Sequence, residues 1–344
     1  MGDRTNRRSA LAALGTSAAL SPLVPETVRA FSSRVTATDI APAEIDDLEL
    51  AVHRLGATYS AHPPQALWPV AAGHRLHADS LLQRRHTLRQ GRELAHLAGM
   101  LSVILAWLAH DLGRTALVPT LGADAWHHGE QAGSPEVSAW SQDVVCTDAL
   151  YAERPLDALT AATRGLAVAP AGSNAAIRLT AQLARAQAVI GNRSGFAEAA
   201  VRAHAFREHI PLRGTGLFAV DAMRIVSYDA TSHGRLGNHE RARAAAEEAI
   251  RHYAPAAGPG HAPTRLAIAR LDLATAHAAL GEPEGAISTA RQALTGDRVV
   301  QSVKDRARLL GRTLLLRYPD LPEARAFHEE LPALAGPPGT LTRS

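Results

Sequence analysis

At 344 residues the chain is longer than a single hydrophobic core usually supports, so two domains or one elongated repeat array are expected. It is 46% hydrophobic but only 4% aromatic, with Ala and Leu dominating, a mix that suits short, closely packed helices and excludes a β-rich fold. A formal charge of +3, from 36 Lys+Arg against 33 Asp+Glu and nearly all of it Arg on the positive side, is too slight for a surface that coats nucleic acid.

In chain order, residues 1–30 admit two readings. Arg7-Arg8 ahead of a small-residue apolar run at 10–24, with Val28-Arg29-Ala30 beyond it, has the layout of a twin-arginine export signal. Ser17, Ser21, Pro22 and Pro25 interrupt that run, and the alternative is a flexible basic lead-in with a short helix. Residues 31–47 read as a linker, so that 1–42 forms a lead-in to a helical domain over 43–331. Helices are expected at about 43–60 and 65–90, separated by Pro63-Pro64, neither of which can donate a helical hydrogen bond.

From Leu94 onward a repeat is legible. Residues 270–294, RLDLATAHAALGEPEGAISTARQAL, read as two short helices broken at Leu280-Gly281-Glu282-Pro283. Matching turns fall at Gly113, Glu153, Gly191, Gly237 and Gly281, spaced 40, 38, 46 and 44 residues apart. Seven residues ahead of each turn stands a small residue: Ala106, Cys146, Ala184, Ala230 and Ala274. Ala158, Ala242 and Ala286 follow their turns by five, and Ala125, Gly165, Ala203, Ala249 and Ala293 by twelve. Small residues in these registers let two antiparallel helices approach closely. Breaks between units are expected at 170–173 and 255–260, a capping helix pair at 306–318 and 323–331, and a frayed tail over 332–344. The expected fold is all-α, a tetratricopeptide-like right-handed α-solenoid of five to seven antiparallel helix pairs.

Three phrases carry a resemblance: AWLAHDLGRTAL at 106–117, DALYAERPLDALTAATRGLAVAP at 148–170 and HAALGEPEGAISTARQAL at 277–294. They resemble the tetratricopeptide regions of actinobacterial, Streptomyces-type regulators, many of which carry an N-terminal helix-turn-helix of the Xre type. The resemblance covers residues ~45–330 through its repeat signatures. It implies a regulatory interaction or sensor module acting in the cytoplasm. No helix-turn-helix precedes residue 45 in the sequence given, so direct DNA binding is not carried over, and DNA contact falls to a partner or a further segment. In such regulators an RR-plus-apolar stretch often joins the two regions, which would make residues 7–24 a false export signal.

Motif chemistry is sparse, and no catalytic, metal or cofactor site is expected. Gly214-Thr215-Gly216-Leu217-Phe218-Ala219 fits a loose dinucleotide fingerprint, yet no strand is expected before it and an inter-helix turn is the simpler reading. Among the 17 His, His74 with His77 and the adjacent His127-His128 lack partners at ligand spacing. The single Cys146 excludes an intramolecular disulfide and a Cys-based zinc site, and its register suggests a buried small hydrophobe. The longest apolar run, residues 98–109, falls short of the ~20 needed to span a bilayer, so no membrane association is expected.

One constellation remains, a binding groove. In a tetratricopeptide stack, first-helix positions 13, 10, 6, 3 and 2 before the turn face the concave side. Projection gives Trp107, His110 and Asp111, then Trp140, Asp143 and Tyr151, then Arg178 with Arg185 and Arg224 with Arg235; the fifth unit gives the bland Leu271 and Thr275. Aromatic and acidic at one end and basic in the middle, such a groove suits a peptide or protein with a carboxylate, or a small effector. The competing reading makes the Trp residues core and the Arg residues a solvated face. A homodimer is compatible with either. Besides the interaction module, two rival functions are carried forward: an exported repeat scaffold, and an enzyme with a pocket near Trp107, Asp111 and Asp143.

Overall fold

The structure, a computed structural model, describes residues 24–210, 216–254, 262–296 and 298–334. Among these the chain is all-helical, with fifteen α-helices and no strand. They are α1 (Pro25–Thr36), α2 (Pro42–Thr58), α3 (Pro64–Leu82), α4 (Leu88–Asp111), α5 (Val118–Ala132), α6 (Pro135–Tyr151), α7 (Pro155–Val168) and α8 (Asn174–Val189). The remainder are α9 (Arg193–Ala205), α10 (Ala222–Arg235), α11 (His239–Tyr253), α12 (Pro263–Leu280), α13 (Pro283–Leu294), α14 (Gln301–Arg317) and α15 (Pro322–Glu330). Eight of them begin on proline, whose fixed φ and missing N–H suit the first helical position.

At all five turns read from the sequence the backbone turns left-handed, as it also does at Gly133, Gly172 and Gly216. Gly113, Glu153, Gly191, Gly237 and Gly281 all have φ between 56° and 92°. In each, the following residue donates its N–H back across the turn, as Arg114 does to Ala109 O (2.8 Å) and Asn238 to His233 O (2.9 Å). This satisfies a carbonyl that the helix end would leave open. Glu153 holds this conformation without being glycine, the one such residue among those described. The small residues in register sit where helices touch: Ala106, Cys146, Ala158, Ala242, Ala274 and Ala286 are at most 1% exposed. Gly165 is packed so tightly that a Cβ would lie 2.8 Å from a Leu179 methyl and 2.9 Å from Gln142 Cβ.

Helices alternate between two layers. Each even-numbered helix from α2 to α14 packs on the next even-numbered one, forming an inner layer, while the odd-numbered helices from α3 to α15 lie outside it against their sequence neighbours. The inner layer then closes on itself, because α14 also touches α4. At that seam a Cβ on Gly113 would lie 2.9 Å from the Gln301 side chain.

Several local expectations are corrected. Residues 31–36, read as linker, continue a helix that begins in the lead-in, α1 over 25–36; Pro25 starts it, Glu26 and Arg34 complement its dipole, and none of its residues is buried. The helix expected over 65–90 is two. Thr87 and Gln90 form a capping box that ends the connection and starts α4, ahead of the repeat start read at Leu94. That makes α4 a 24-residue helix, long and apolar enough by composition to cross a membrane, but 89% of its apolar window is buried inside the protein. It is the central core helix, with Leu94, Ala98, Leu101, Val103, Ile104 and Leu108 fully enclosed. The breaks at Pro63-Pro64 and 170–173 and the terminal pair, now α14 and α15, fall close to their expected places. Arg7-Arg8 and the apolar run up to residue 23, the break at 255–260, and residues 335–344 of the tail lie outside the described residues.

Candidate functional site

Closure of the inner layer turns the expected open groove into a partly enclosed chamber of about 120 Å³. Every inner helix from α4 to α14 supplies a wall: Trp107, His110 and Asp111 on α4, Thr147 and Tyr151 on α6, Arg178 and Arg185 on α8, Arg224, Tyr228 and Thr231 on α10, Arg265 and Ile268 on α12, Arg306 on α14. Through Tyr151, Arg185, Thr231 and Arg306 it shares walls with a vestibule of about 670 Å³ at the turn ends of the inner helices.

The sequence-derived candidates separate into three places. Trp107, His110, Asp111, Tyr151, Arg178, Arg185 and Arg224 line the chamber. Trp140 and Asp143 stand behind its wall at 1% and 0% exposure. Arg235 lies in the vestibule, exposed and 2.8 Å from Glu153, alongside the bland pair Leu271 and Thr275. Trp107 and Trp140 belong to the core, as the competing reading held. The same reading made the arginines a solvated face, and that fails for Arg178 and Arg185, which are 2% and 5% exposed.

Six arginines line the chamber, and four of them are neutralised. Arg178 pairs with Asp143 (2.9 Å), donates to Leu217 O (2.9 Å) and lies between the rings of Trp107 and Trp140, 4.5 and 5.3 Å from their centroids. Arg298, just ahead of α14, works as a clasp. It donates to Asp111 Oδ2 (2.8 Å), Thr264 Oγ1 (2.7 Å) and the His62 carbonyl (3.1 Å), and Tyr59 donates to the same Asp111 oxygen (2.8 Å). Arg265 pairs with Asp221, which also accepts from Tyr253, and Arg306 pairs with Asp272.

Arg185 and Arg224 have no such carboxylate. Arg185 donates from Nη1 to Gln182 Oε1 (2.6 Å) and faces the Tyr228 ring at 4.7 Å, while its Nε is buried without a partner. Arg224 has a buried Nη1 with no partner. Burial, then the cations of Arg265 and Arg178, push Arg224 down to about 10. Burial pushes Asp143 up against the pull of Arg178 and Arg224, and it likewise raises Tyr59 well above the usual tyrosine range. For Arg265 and Arg306 burial works downward, but Asp221 and Asp272 outweigh it and both are raised. The chamber is cationic because four carboxylates face six guanidinium groups.

Beside the arginines, His110 Nδ1 sits 3.0 Å from Asp148 Oδ1, both buried, with the Tyr151 ring edge-on at 5.1 Å. Cys146 is fully buried and its thiol is pushed up by burial, so it is a packing group and a poor nucleophile. Among the described residues no three His, Cys, Asp or Glu are grouped to hold a metal ion. Gly214 and Thr215 of the loose dinucleotide motif lie outside the described residues. Gly216, at φ 89°, crosses over α2, and Leu217 N donates to Gly56 O (2.8 Å). Gly216 needs to be glycine, since a Cβ would lie 2.7 Å from that same oxygen. Phe218 then packs between Gly56 and the Trp140 ring, so this segment closes one end of the chamber.

Sequence reasoning missed Arg265, Arg298, Arg306 and the tyrosines Tyr59, Tyr228 and Tyr253. Arg306 did have a signal. It stands thirteen residues ahead of the α14 turn at Pro319, the register that holds Arg178 before Gly191 and Arg224 before Gly237. Tyr59 and Arg298 lie outside any repeat register and come in only through closure. No protein-family model matches the chain, and no curated protein matches it in sequence.

Proposed function

We propose that the chain is a tetratricopeptide-like right-handed solenoid acting as a non-enzymatic sensor module of a cytoplasmic transcriptional regulatory protein, and that it takes up a small effector in its inner chamber. The carrying observation is the chamber itself: a partly enclosed space of about 120 Å³ whose walls come from six successive inner helices. A ligand there touches the whole array, so its binding energy acts on the packing between repeats, which in such arrays is a sum of neighbour interfaces. Five left-handed turns with small residues in fixed registers favour the tetratricopeptide-like class. The regulatory role rests on the three phrases that resemble actinobacterial regulators.

Among the occupants considered for a groove, the size of the chamber favours a small molecule over an extended peptide. A peptide or protein partner is then left to the outer surface or the vestibule. The enzyme alternative has one observation of its own, the buried His110–Asp148 pair at the chamber wall. A positioned reacting partner for it is what that reading lacks.

The test is native mass spectrometry of the protein purified without denaturation, beside protein refolded from denaturant. Expected is a non-covalent adduct of small-molecule mass on the first and its absence on the second. The reading is lost if the two masses agree and a small-molecule extract of the source cells leaves the melting temperature of the refolded protein unchanged.

A further inference from the structure

Buried charges are ordinarily paired, because an isolated ion loses its hydration with nothing in return. The chamber obeys this rule at Arg178, Arg265, Arg298 and Arg306, each set against its own aspartate. It breaks the rule at Arg185 and Arg224. These two stand on adjacent inner helices, α8 and α10, and both face the same cavity. Tyr228, one turn beyond Arg224 on α10, carries the Arg185 guanidinium over its ring at 4.7 Å. Among the described residues, Nε of Arg178, Nε of Arg185 and Nη1 of Arg224 are buried without an acceptor, and both carboxylate oxygens of Asp143, behind the wall, are likewise buried without a hydrogen bond. Asp221, nearest in sequence to Arg224, is already engaged by Arg265 and Tyr253 and caps the Arg224 backbone N–H (2.7 Å).

Among the described residues, six guanidinium groups line the cavity against four paired aspartates, so the cavity is short of negative charge. Guanidinium forks match phosphate and carboxylate oxygens, and charge-assisted bonds of this kind are about twice as strong as neutral ones. The hydroxyls of Tyr151 and Ser227 line the same space, while those of Thr147 and Thr231 are already donated to Asp143 O and Asp272 Oδ2. The volume is comparable to a cavity that holds benzene, which limits the occupant to a few heavy atoms beyond its charged group.

We propose that the chamber is the binding site of a small dianion, a phosphate, a small phosphate monoester or a short dicarboxylate, held between Arg185 and Arg224. This rests on the reading of the chamber as an effector site and narrows its ligand class. The dianion completes the charge balance of the inner layer and accepts from the guanidinium groups of Arg185 and Arg224 where they line the cavity. It enters through the vestibule, where Arg185 and Arg306 form part of the shared wall.

The experiment is thermal unfolding with isothermal titration calorimetry on the full chain at constant ionic strength, using four probes: inorganic phosphate, succinate, acetate and phenol. Phosphate, succinate or both are expected to raise the melting temperature saturably, and their relative strength separates a phosphoryl from a dicarboxylate ligand. Acetate should act at least tenfold more weakly. In the double variant Arg185→Gln/Arg224→Gln the response should vanish while the ligand-free protein melts no lower than wild type. Should the double variant fail to fold, Arg185→Gln and Arg224→Gln singly are each expected to weaken the dianion response at least tenfold. A matching change at Arg235, which is exposed and outside the chamber, should leave it unaltered. Phenol binding together with no dianion response would overturn the dianion while leaving the chamber as an effector site. A dianion response that survives both substitutions places the anion elsewhere and also overturns it. No response to any probe, together with no adduct in the native mass spectrum, removes both readings.

Discussion

Two regions of the same chamber handle the same residue type in opposite ways. At the seam between α4 and α14, Arg298 has three acceptors, one of them a carboxylate, and it ties His62, Thr264 and Asp111 together from points far apart in the chain. Across the cavity, Arg185 and Arg224 are enclosed with N–H groups that nothing accepts. The first arrangement holds the ring closed; the second is incomplete by itself. A buried arginine is therefore a structural tie or a ligand-binding group depending on whether the fold brings it a counter-charge. Substituting each kind should have opposite effects on stability.

The largest effect is expected at the clasp. Arg298→Ala leaves Asp111 buried without its cation and should lower the unfolding free energy by about 3–5 kcal/mol, measured by urea denaturation. Loss of less than ~1 kcal/mol would show that the α4–α14 seam is not held by this pair. Next comes Arg178→Met, which leaves Asp143 alone among the Trp rings. Asp143 has a folded pKa raised above its unfolded value, so its contribution to stability is fullest below about pH 4 and is lost as pH rises through the folded value. The variant should therefore be close to wild type at acid pH and fall behind as pH approaches 7, with a deficit of about 3 kcal/mol there. A pH-independent deficit would mean that packing against Trp107 and Trp140, and not charge, is what Arg178 supplies.

On the opposite wall the sign reverses. Burial and neighbouring cations depress Arg224 to about 10, so it stays charged in the fold below that pH and carrying the charge there costs stability relative to the unfolded chain. Arg185→Gln with Arg224→Gln should raise ligand-free stability by on the order of 1 kcal/mol in denaturant titration. A loss comparable to that of Arg298→Ala would erase the distinction between the two walls. The smallest effect concerns the frame. Glu153→Gly relieves a left-handed conformation at φ 56° and should stabilise by about 1 kcal/mol, since its exposed pairing with Arg235 contributes little.

The turns, the layer order and the close helix contacts were legible because each is set by residues near in sequence. Gly at a left-handed position and Ala seven before or five after it are local requirements, repeated five times, and periodic repetition makes local signals readable. Seven of the ten projected groove residues reach one cavity for the same reason, since the register along each first helix is fixed by its turn. Arg306 was missed because the register was not carried on to the terminal turn at Pro319, and Arg298 and Tyr59 because they stand outside any repeat register.

By itself, then, the sequence determined the all-helical class, the five left-handed turns and the side of each inner helix that faces inward, all consequences of backbone preference and steric size over short spans. Only the tertiary structure decided that the inward side is a chamber and not an open groove. Closure depends on contacts such as Arg298 to Asp111, 187 residues apart, and on the Leu217–Gly56 crossing. The charge state of the site was decided there too. Whether an arginine is neutralised depends on which carboxylate lies within about 3 Å in space, and that is a property of the closed ring rather than of any one repeat.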